Sequence, residues 1–257
     1  MTNSAQKPSG AEKTSRLTPE QISQLQIARR ADGTSDDWVE LYLAEFPENE
    51  RRDVSQLRAL LQSGKLVLHE TRDKHGKLLV WSMSQDYASR DKVEPSFWLG
   101  CWTVTRRNMQ STGLGRIHFA KVLEALKQEK PDYIGRVTEI ESTAGQTRDS
   151  QPVRRAKFYK ALGLKEIDVA YEFPLFQPVN AKEYVAQAQL GKGIPAQLLI
   201  ASFGNDSLSV SDARSIIKRI YTFGYHLQPT DPYIAERLML VRETGESVLV
   251  DIRTNGS

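Results

Sequence analysis

Two glycines, Gly113 and Gly115, stand between a polar run, residues 108–112, and the apolar stripe Leu114, Ile117, His118, Val122, Leu123 and Leu126. The 3.6-residue spacing of that stripe predicts an amphipathic helix. A helix N-terminus presents free N–H groups and the positive end of a dipole, and glycine lets a ligand reach that backbone. The segment therefore reads as an anion cradle, most naturally for phosphates. Glycines kept only for close packing of the helix on a sheet would give the same spacing, and the motif alone does not decide between the two. Neither Gly-x-x-x-x-Gly-Lys-Ser/Thr nor Gly-x-Gly-x-x-Gly opening a series of parallel βαβ units is present.

The surrounding pattern supplies the elements that hold this loop. Residues 17–33 carry a capped short helix or a first strand. Trp38, Leu41, Tyr42 and Phe46, then Leu57, Leu60 and Leu61, recur at helical spacing and predict two helices broken near Pro47. Two β runs, residues 65–73 and 77–85, flank Lys74, His75 and Gly76 and read as a hairpin. Residues 96–104, "SFWLGCWTV", are almost wholly apolar, as a central strand requires, and lead straight into the glycine loop. A strand at 133–142, a helix from about Pro152 and a strand at 166–174 follow.

Composition narrows the class. Apolar residues make up 39% and charged residues 26%, so a core of normal size can be buried, in one large domain or two small ones over 257 residues. The net charge of +3, with basic and acidic residues interspersed, gives no reason to expect nucleic acid. Cys101 is the sole cysteine, which excludes an intrachain disulfide, suits a reducing compartment and reads as a small buried apolar residue. His69, His75, His118 and His226 form no metal-spaced group, so no metal is expected, and His118 reads as a core histidine on the apolar stripe. No run reaches membrane-span length and no signal peptide is evident, so a cytoplasmic protein without a membrane partner is expected. Residues 1–16 read as a floppy leader.

Gln110-Ser-Thr-Gly113-Leu-Gly115 resembles the Gln/Arg-x-x-Gly-x-Gly/Ala signature of the GNAT superfamily of acyl-CoA-dependent N-acyltransferases. Phe158, Tyr159, Gly163 and Leu164 resemble that family's Phe-Tyr-x-x-x-Gly-Phe segment, at the right distance and in the right order. The resemblance covers about residues 36–174. It implies an α/β (α+β) fold with a mixed, mostly antiparallel central sheet flanked by helices. The expected organisation is a leader at 1–16, an acyltransferase domain at 17–204, and a C-terminal helix and hairpin at 205–257 packed on the core. Two departures stand out: "DSQPVRR" replaces the Asn that many members place before the Phe-Tyr pair, and the loop 104–110 lacks the common proline and is about one residue longer.

The resemblance implies acetyl-CoA as co-substrate, its pyrophosphate on the loop Gln110, Ser111, Thr112, Gly113, Leu114, Gly115 and Arg116, and its pantetheine along the backbone of Thr103 and Val104. It also implies that Tyr159 protonates the departing thiolate; a core tyrosine is the bland alternative. For the base, strand alternation puts Val137, Glu139 and Glu141 on one face and Arg136, Thr138 and Ile140 on the other. If that face lines the cleft, like-charge proximity and partial burial would raise one pKa toward the working pH. Glu141 is the first choice, Glu139 the second, a water relay from either a third; solvated glutamates are the alternative. Arg154 and Arg155 lie in the first helical turn after Pro152, either solvated or meeting an acidic partner.

The expected activity is transfer of an acetyl group to a primary amine, on a small molecule or a protein. The alternatives are an acyl-CoA-binding interaction module without turnover and a domain for another nucleotide. Residues 195–204 read as a last strand and residues 209–225 as a helix capped by Ser211 or Asp212. Residues 236–253 read as a hairpin turning at Thr244-Gly245-Glu246. This tail suffices to cover the core, form a lid or build a homodimer interface.

Overall fold

The computed structural model describes residues 15–48, 51–89, 93–180, 183–187, 193–204, 207–241 and 247–254, so the leader expected at 1–16 lies almost wholly outside the described residues. The chain opens with a short helix α1 (Pro19–Ser23) and a strand β1 (Gln26–Ala31), so both readings of that segment hold. Thr18 and Gln21 form a reciprocal capping box that starts α1. Helices α2 (Asp37–Glu45) and α3 (Val54–Gln62) follow, broken at Pro47 as expected. Trp38, Leu41 and Tyr42 of α2 and Leu57 of α3 are buried, which is why their spacing was legible.

Strands β2 (Leu66–Arg72), β3 (Leu78–Tyr87) and β4 (Phe97–Thr105) form with β1 an antiparallel meander. Helix α4 (Leu114–Glu129) crosses one face of it to β5 (Gly135–Glu141), which pairs in parallel with β4. After α5 (Gln151–Lys160) come β6 (Lys165–Ile167) and β7 (Tyr171–Phe173), then β8 (Leu175–Asn180) and β9 (Glu183–Gln187), and then β10 (Ile194–Ser202). Strand β10 inserts between β5 and β6, giving the order β1-β2-β3-β4-β5-β10-β6-β11, with β7 also on β10 and β8-β9 a separate two-stranded sheet. The expected strand at 166–174 is thus two short ones. Both Ile167 and Tyr171 face the core, and the chain between them cannot keep one register against β10.

Two apolar layers cover the sheet. Phe119, Val122 and Leu126 of α4 and Ala156 and Tyr159 of α5 pack on one face against Trp98, Ile140, Leu199 and Ala201. On the other face, α2 and α3 cover Leu66, Leu68, Trp81 and Met83, while α6 (Val210–Arg219) and α7 (Pro232–Met239) cover Leu99, Val137, Leu198 and Ile200.

The C-terminal hairpin expected at 236–253 is a correction. Asp231 accepts a hydrogen bond from the Tyr233 N–H, Pro232 takes the first turn, and Tyr233, Ile234 and Arg237 bury one helical face, so residues 232–239 are α7. The expected turn at 244–246 lies outside the described residues. Among the described residues of that span, β11 (Leu249–Val250) is a strand that extends the main sheet by pairing with β6, and Val241 makes an isolated antiparallel bridge with Val169. Helix α6 is capped by Ser209, whose hydroxyl accepts from the Asp212 N–H, not by Ser211 or Asp212. Its C-terminal end runs into a π-helical turn, Ile220–Gly224. Past β11, Arg253 pairs with the fully buried Glu166, which also accepts from Gln197 Nε2 at 2.8 Å. The tail therefore shares the core of the preceding sheet.

Candidate active site

Strands β4 and β5 pair only through Trp98–Arg136, Leu99–Val137 and Gly100–Thr138. Directly after that point β4 bulges: Gly100 opposes Ser84 and Trp102 opposes Met83, so Cys101 is the extra residue. Residues 101–105 of β4 keep β3 on one side and residues 139–141 of β5 keep β10, but neither pairs with the other. The sheet thus opens into a split at its centre, with Thr103 and Val104 on its β4 edge. An exposed strand edge offers N–H and C=O groups to an extended ligand. Only the backbone of Val104 is available, since its side chain packs with Trp81 and Met83.

At the open end of β4, a 3₁₀ turn, Arg107–Met109, leads to Ser111 at φ 64° and Gly113 at φ 90°, then to α4. The loop is built from its own polar side chains. Gln110 Nε2 donates to the Thr105 carbonyl at 3.1 Å, and the Thr112 hydroxyl donates to the Met109 carbonyl at 2.7 Å and accepts from the Leu114 N–H at 3.3 Å. Leu114 is buried, whereas Ser111, Gly113 and Arg116 are exposed. No acidic residue occupies the first turn of α4 and Gly113 supplies no side-chain cap, so the dipole's positive end is uncompensated there.

The two glycines serve different ends. A Cβ at Gly113 would meet nothing within 4 Å, so glycine is needed for the left-handed φ and leaves the space before the helix open. A Cβ at Gly115 would lie 3.2 Å from Thr105 Oγ1, so this residue lets α4 approach the sheet. Gly113 thus keeps open the space that the cradle reading requires, and Gly115 meets the packing reading.

Tyr159 and Glu139 flank the split from opposite faces. Tyr159 is buried on the α4–α5 side, its ring edge-on to Phe119 at 5.4 Å. Burial raises its pKa, against which the positive charges of Arg136 and Arg155 act. Glu139 lies on the α6 side, where its Oε1 accepts from the hydroxyls of Tyr171 at 2.5 Å and Tyr225 at 2.9 Å. Neither tyrosine engages Oε2. Burial raises the Glu139 pKa, partly offset by the two phenol hydrogen bonds. Glu141 behaves differently: it is ion-paired with Arg155, its side chain 41% exposed. Of the two causes expected to raise one glutamate pKa, burial acts on Glu139 and mutual repulsion does not, because Glu141 is drawn off by Arg155. Arg154 is exposed.

Three residues of this region escaped the reading of the sequence. Tyr171 and Tyr225 come from β7 and from the turn after α6, 32 and 86 residues from Glu139 in the chain. Arg136 is 1% exposed at the apex of the split. Its Nε donates to Ser84 Oγ and its Nη1 to Thr138 Oγ1, each at 3.1 Å, and its guanidinium lies 4.7 Å from the Phe119 ring centroid. Gly100 makes room for it, since a Cβ there would sit 2.4 Å from Nη2. The signal was present: Arg136 is the charged residue on a strand face otherwise made of Thr138 and Ile140.

Cys101 is half-buried at the bulge, its thiol pKa pushed up to about 11 by burial. His118 is a core histidine: Nδ1 meets Thr71 Oγ1 at 2.8 Å, Nε2 meets Ser82 Oγ at 3.0 Å, and burial lowers its pKa to about 3. Among the described residues, no group of three or more His, Cys, Asp or Glu is placed to hold a metal ion, and no helix is long and apolar enough to cross a membrane.

No protein-family model and no curated protein sequence matches the chain. Solved structures do. A protein assigned as a GNAT-family acetyltransferase from Bacteroides thetaiotaomicron superposes with a TM-score of 0.52 at 19% identity, over 74% of this chain and 90% of that one. Arabidopsis thaliana NAA60 in complex with acetyl-CoA follows at 0.46 and 10% identity, over 68% and 96%. The ribosomal-protein-S18-alanine N-acetyltransferase from Escherichia coli follows at 0.44 and 12% identity, over 72% and 97%. The fold assignment rests on the first of these.

Proposed function

We propose that this chain, which has the fold of the GNAT acetyltransferases, transfers the acetyl group of acetyl-CoA to a primary amine by direct attack in the β4–β5 split. The observation that carries the reading is the placement of Glu139 and Tyr159 on opposite faces of an unpaired strand edge that begins at the Gly113 cradle. A thioester carried into the split meets a carboxylate on one side and a phenol on the other.

In this reading the α4 N-terminus and the Ser111–Gly113 backbone hold the pyrophosphate, with Arg116 adding charge. The free N–H and C=O groups of residues 101–105 bind the pantetheine amides, and one N–H polarises the thioester carbonyl. Glu139 is the base rather than Glu141, because Glu141 is held by Arg155 while Glu139 keeps Oε2 free of its tyrosines. A carboxylate with a raised pKa is a better acceptor for an ammonium proton than an ordinary one. The amine nitrogen then bonds to the carbonyl carbon, the C–S bond breaks, the thiolate takes the Tyr159 hydroxyl proton, and the second proton that the nitrogen loses on becoming an amide passes to solvent. The amide and free coenzyme A leave, with the ammonium proton on Glu139 and the phenolate reprotonated from solvent. Arg136 and Arg155 act on Tyr159 and ease its transient negative charge.

Calorimetric titration with acetyl-CoA, followed by thiol release against a panel of amines, tests the reading. Saturable binding and amine-dependent release are expected. No binding at millimolar acetyl-CoA rejects a transferase; binding without release on any amine favours an acyl-CoA-binding module.

A further inference from the structure

On the face of the sheet away from α4 and α5 the apolar core is in two parts. One lies beneath α2 and α3 and holds Trp81 and Met83; the other lies beneath α6 and α7 and holds Leu99, Val137 and Leu198. Along β4 the change comes between Leu99 and Cys101, where the strand bulges and the split opens. Cys101 and Trp102 stand on the margin of the first part and Tyr225 on the margin of the second. All three, and Glu139 with them, are half-buried, so this boundary is open to a ligand.

The bulge decides which face receives the tryptophan. In a regular strand residues 100 and 102 share a face. Here Gly100 lies under the Arg136 guanidinium on the α4 side, whereas Trp102 turns to the α2 side, its ring edge-on to Tyr42 at 5.7 Å. Tyr42 is fully buried and its hydroxyl accepts from the Arg52 N–H at 2.7 Å, so the wall behind Trp102 is fixed. Helix α2 also borders the mouth of the split, because Glu45 pairs with Arg107, in the turn after β4, at 3.0 Å.

Register sets what stands across from that wall. Past the Gly100–Thr138 pair the next residues on the two strands are Cys101 and Glu139, and Trp102 is one step farther along. Tyr171 and Tyr225 hold the Glu139 carboxylate from the other side. The other carboxylate of β5, Glu141, is paired with Arg155, which leaves a second ammonium on the acceptor without a partner on that strand.

Resting on the transferase reading above, we propose that the acceptor is a small primary amine whose short stem carries an aromatic ring, with the nitrogen at Glu139 and the ring against Trp102. The ring buries apolar area on the margin of the α2 core and adds an oriented contact with the indole. Trp102 is thus a specificity residue: it selects the acceptor and takes no part in the proton transfers.

The experiment uses the full chain and measures thiol release from acetyl-CoA with 2-phenylethylamine, tryptamine, ethylamine and putrescine. The expected result is a kcat/KM for the better ring-bearing amine at least about tenfold above ethylamine and putrescine. Trp102→Leu should bring that ratio to within about threefold of one, chiefly through KM, and Trp102→Phe should keep most of it. A merely structural tryptophan would lower kcat for every amine alike and leave the ratio standing. Titration of each variant with acetyl-CoA shows whether β4 has kept its place. A wild-type ratio near one, or in favour of putrescine, overturns the proposal whether or not the variants fold. So does an unchanged ratio in Trp102→Leu that still binds acetyl-CoA, or release with neither ring-bearing amine by wild type that binds it. Absence of acetyl-CoA binding instead brings down the transferase reading itself.

Discussion

Replacing Glu139 by Gln removes the proposed base while sparing its surroundings. Both phenol hydrogen bonds, from Tyr171 and Tyr225, end on Oε1, and the Gln carbonyl can accept them in the same way. What is lost is the proton-accepting capacity of Oε2. General-base catalysis contributes about 10²- to 10⁴-fold, so kcat/KM should fall by that factor with acetyl-CoA affinity intact. Stability gives an independent reading. Burial raises the folded pKa of Glu139 above its unfolded value, so its favourable contribution is full below the unfolded pKa and is lost as pH rises through the folded one. Each unit of that rise is worth about 1.4 kcal/mol. Glu139→Gln does not titrate, so its melting temperature should gain on wild type between pH 5 and 8, by roughly 2–4 °C per kcal/mol for a chain of this size. The assays are initial rates of thiol release from pH 5 to 9 and calorimetric melting at the same pH values. A variant within about threefold of wild type at all pH values would refute the base assignment. A melting difference that does not widen with pH would refute the buried-carboxylate argument beneath it.

Tyr171→Phe or Tyr225→Phe removes a hydrogen bond that lowers the Glu139 pKa, so the acidic limb of the rate profile should move to higher pH; an unmoved limb separates that limb from Glu139. Tyr159→Phe should lower kcat by about 10²-fold with acetyl-CoA affinity kept, as read by single-turnover rates and titration, and a wild-type kcat would reject its acid role. Gly113→Val places a β-branched side chain at φ 90° and in the open space before α4. It should abolish measurable coenzyme A binding and cost about 1–2 kcal/mol of stability; unchanged affinity would remove the cradle. His118→Leu strips the buried hydroxyls of Thr71 and Ser82 of a partner and should cost about 1–3 kcal/mol at pH 7. Its folded pKa of about 3 lies below the unfolded value, so wild type loses that advantage as pH falls below 6.5, and the melting gap should narrow in acid.

The sequence by itself determined the elements whose signals are local. The apolar stripe from Leu114 marked α4, the unbroken run at 96–104 marked the central strand, and Lys74-His75-Gly76 marked the β2–β3 turn, because periodicity and turn chemistry act over a few residues. The glycine loop was legible for the same reason, down to Gly113. Local signals misled at the C-terminal end. Residues 236–239 look like strand, and their helical state depends on the Asp231 cap and on burial of Tyr233, Ile234 and Arg237. Alternation along β5 placed Glu139 and Glu141 correctly on one face, and the reading put Glu141 first without its partners in view. Arg155 on Glu141, and Tyr171 and Tyr225 on Glu139, are brought in from three other segments. Tertiary structure alone decided that β10 inserts beside β5 and that β4 and β5 part after Gly100. Each is a juxtaposition of residues far apart in the chain, fixed by how the whole sheet buries its two faces, and no short window of sequence carries that information.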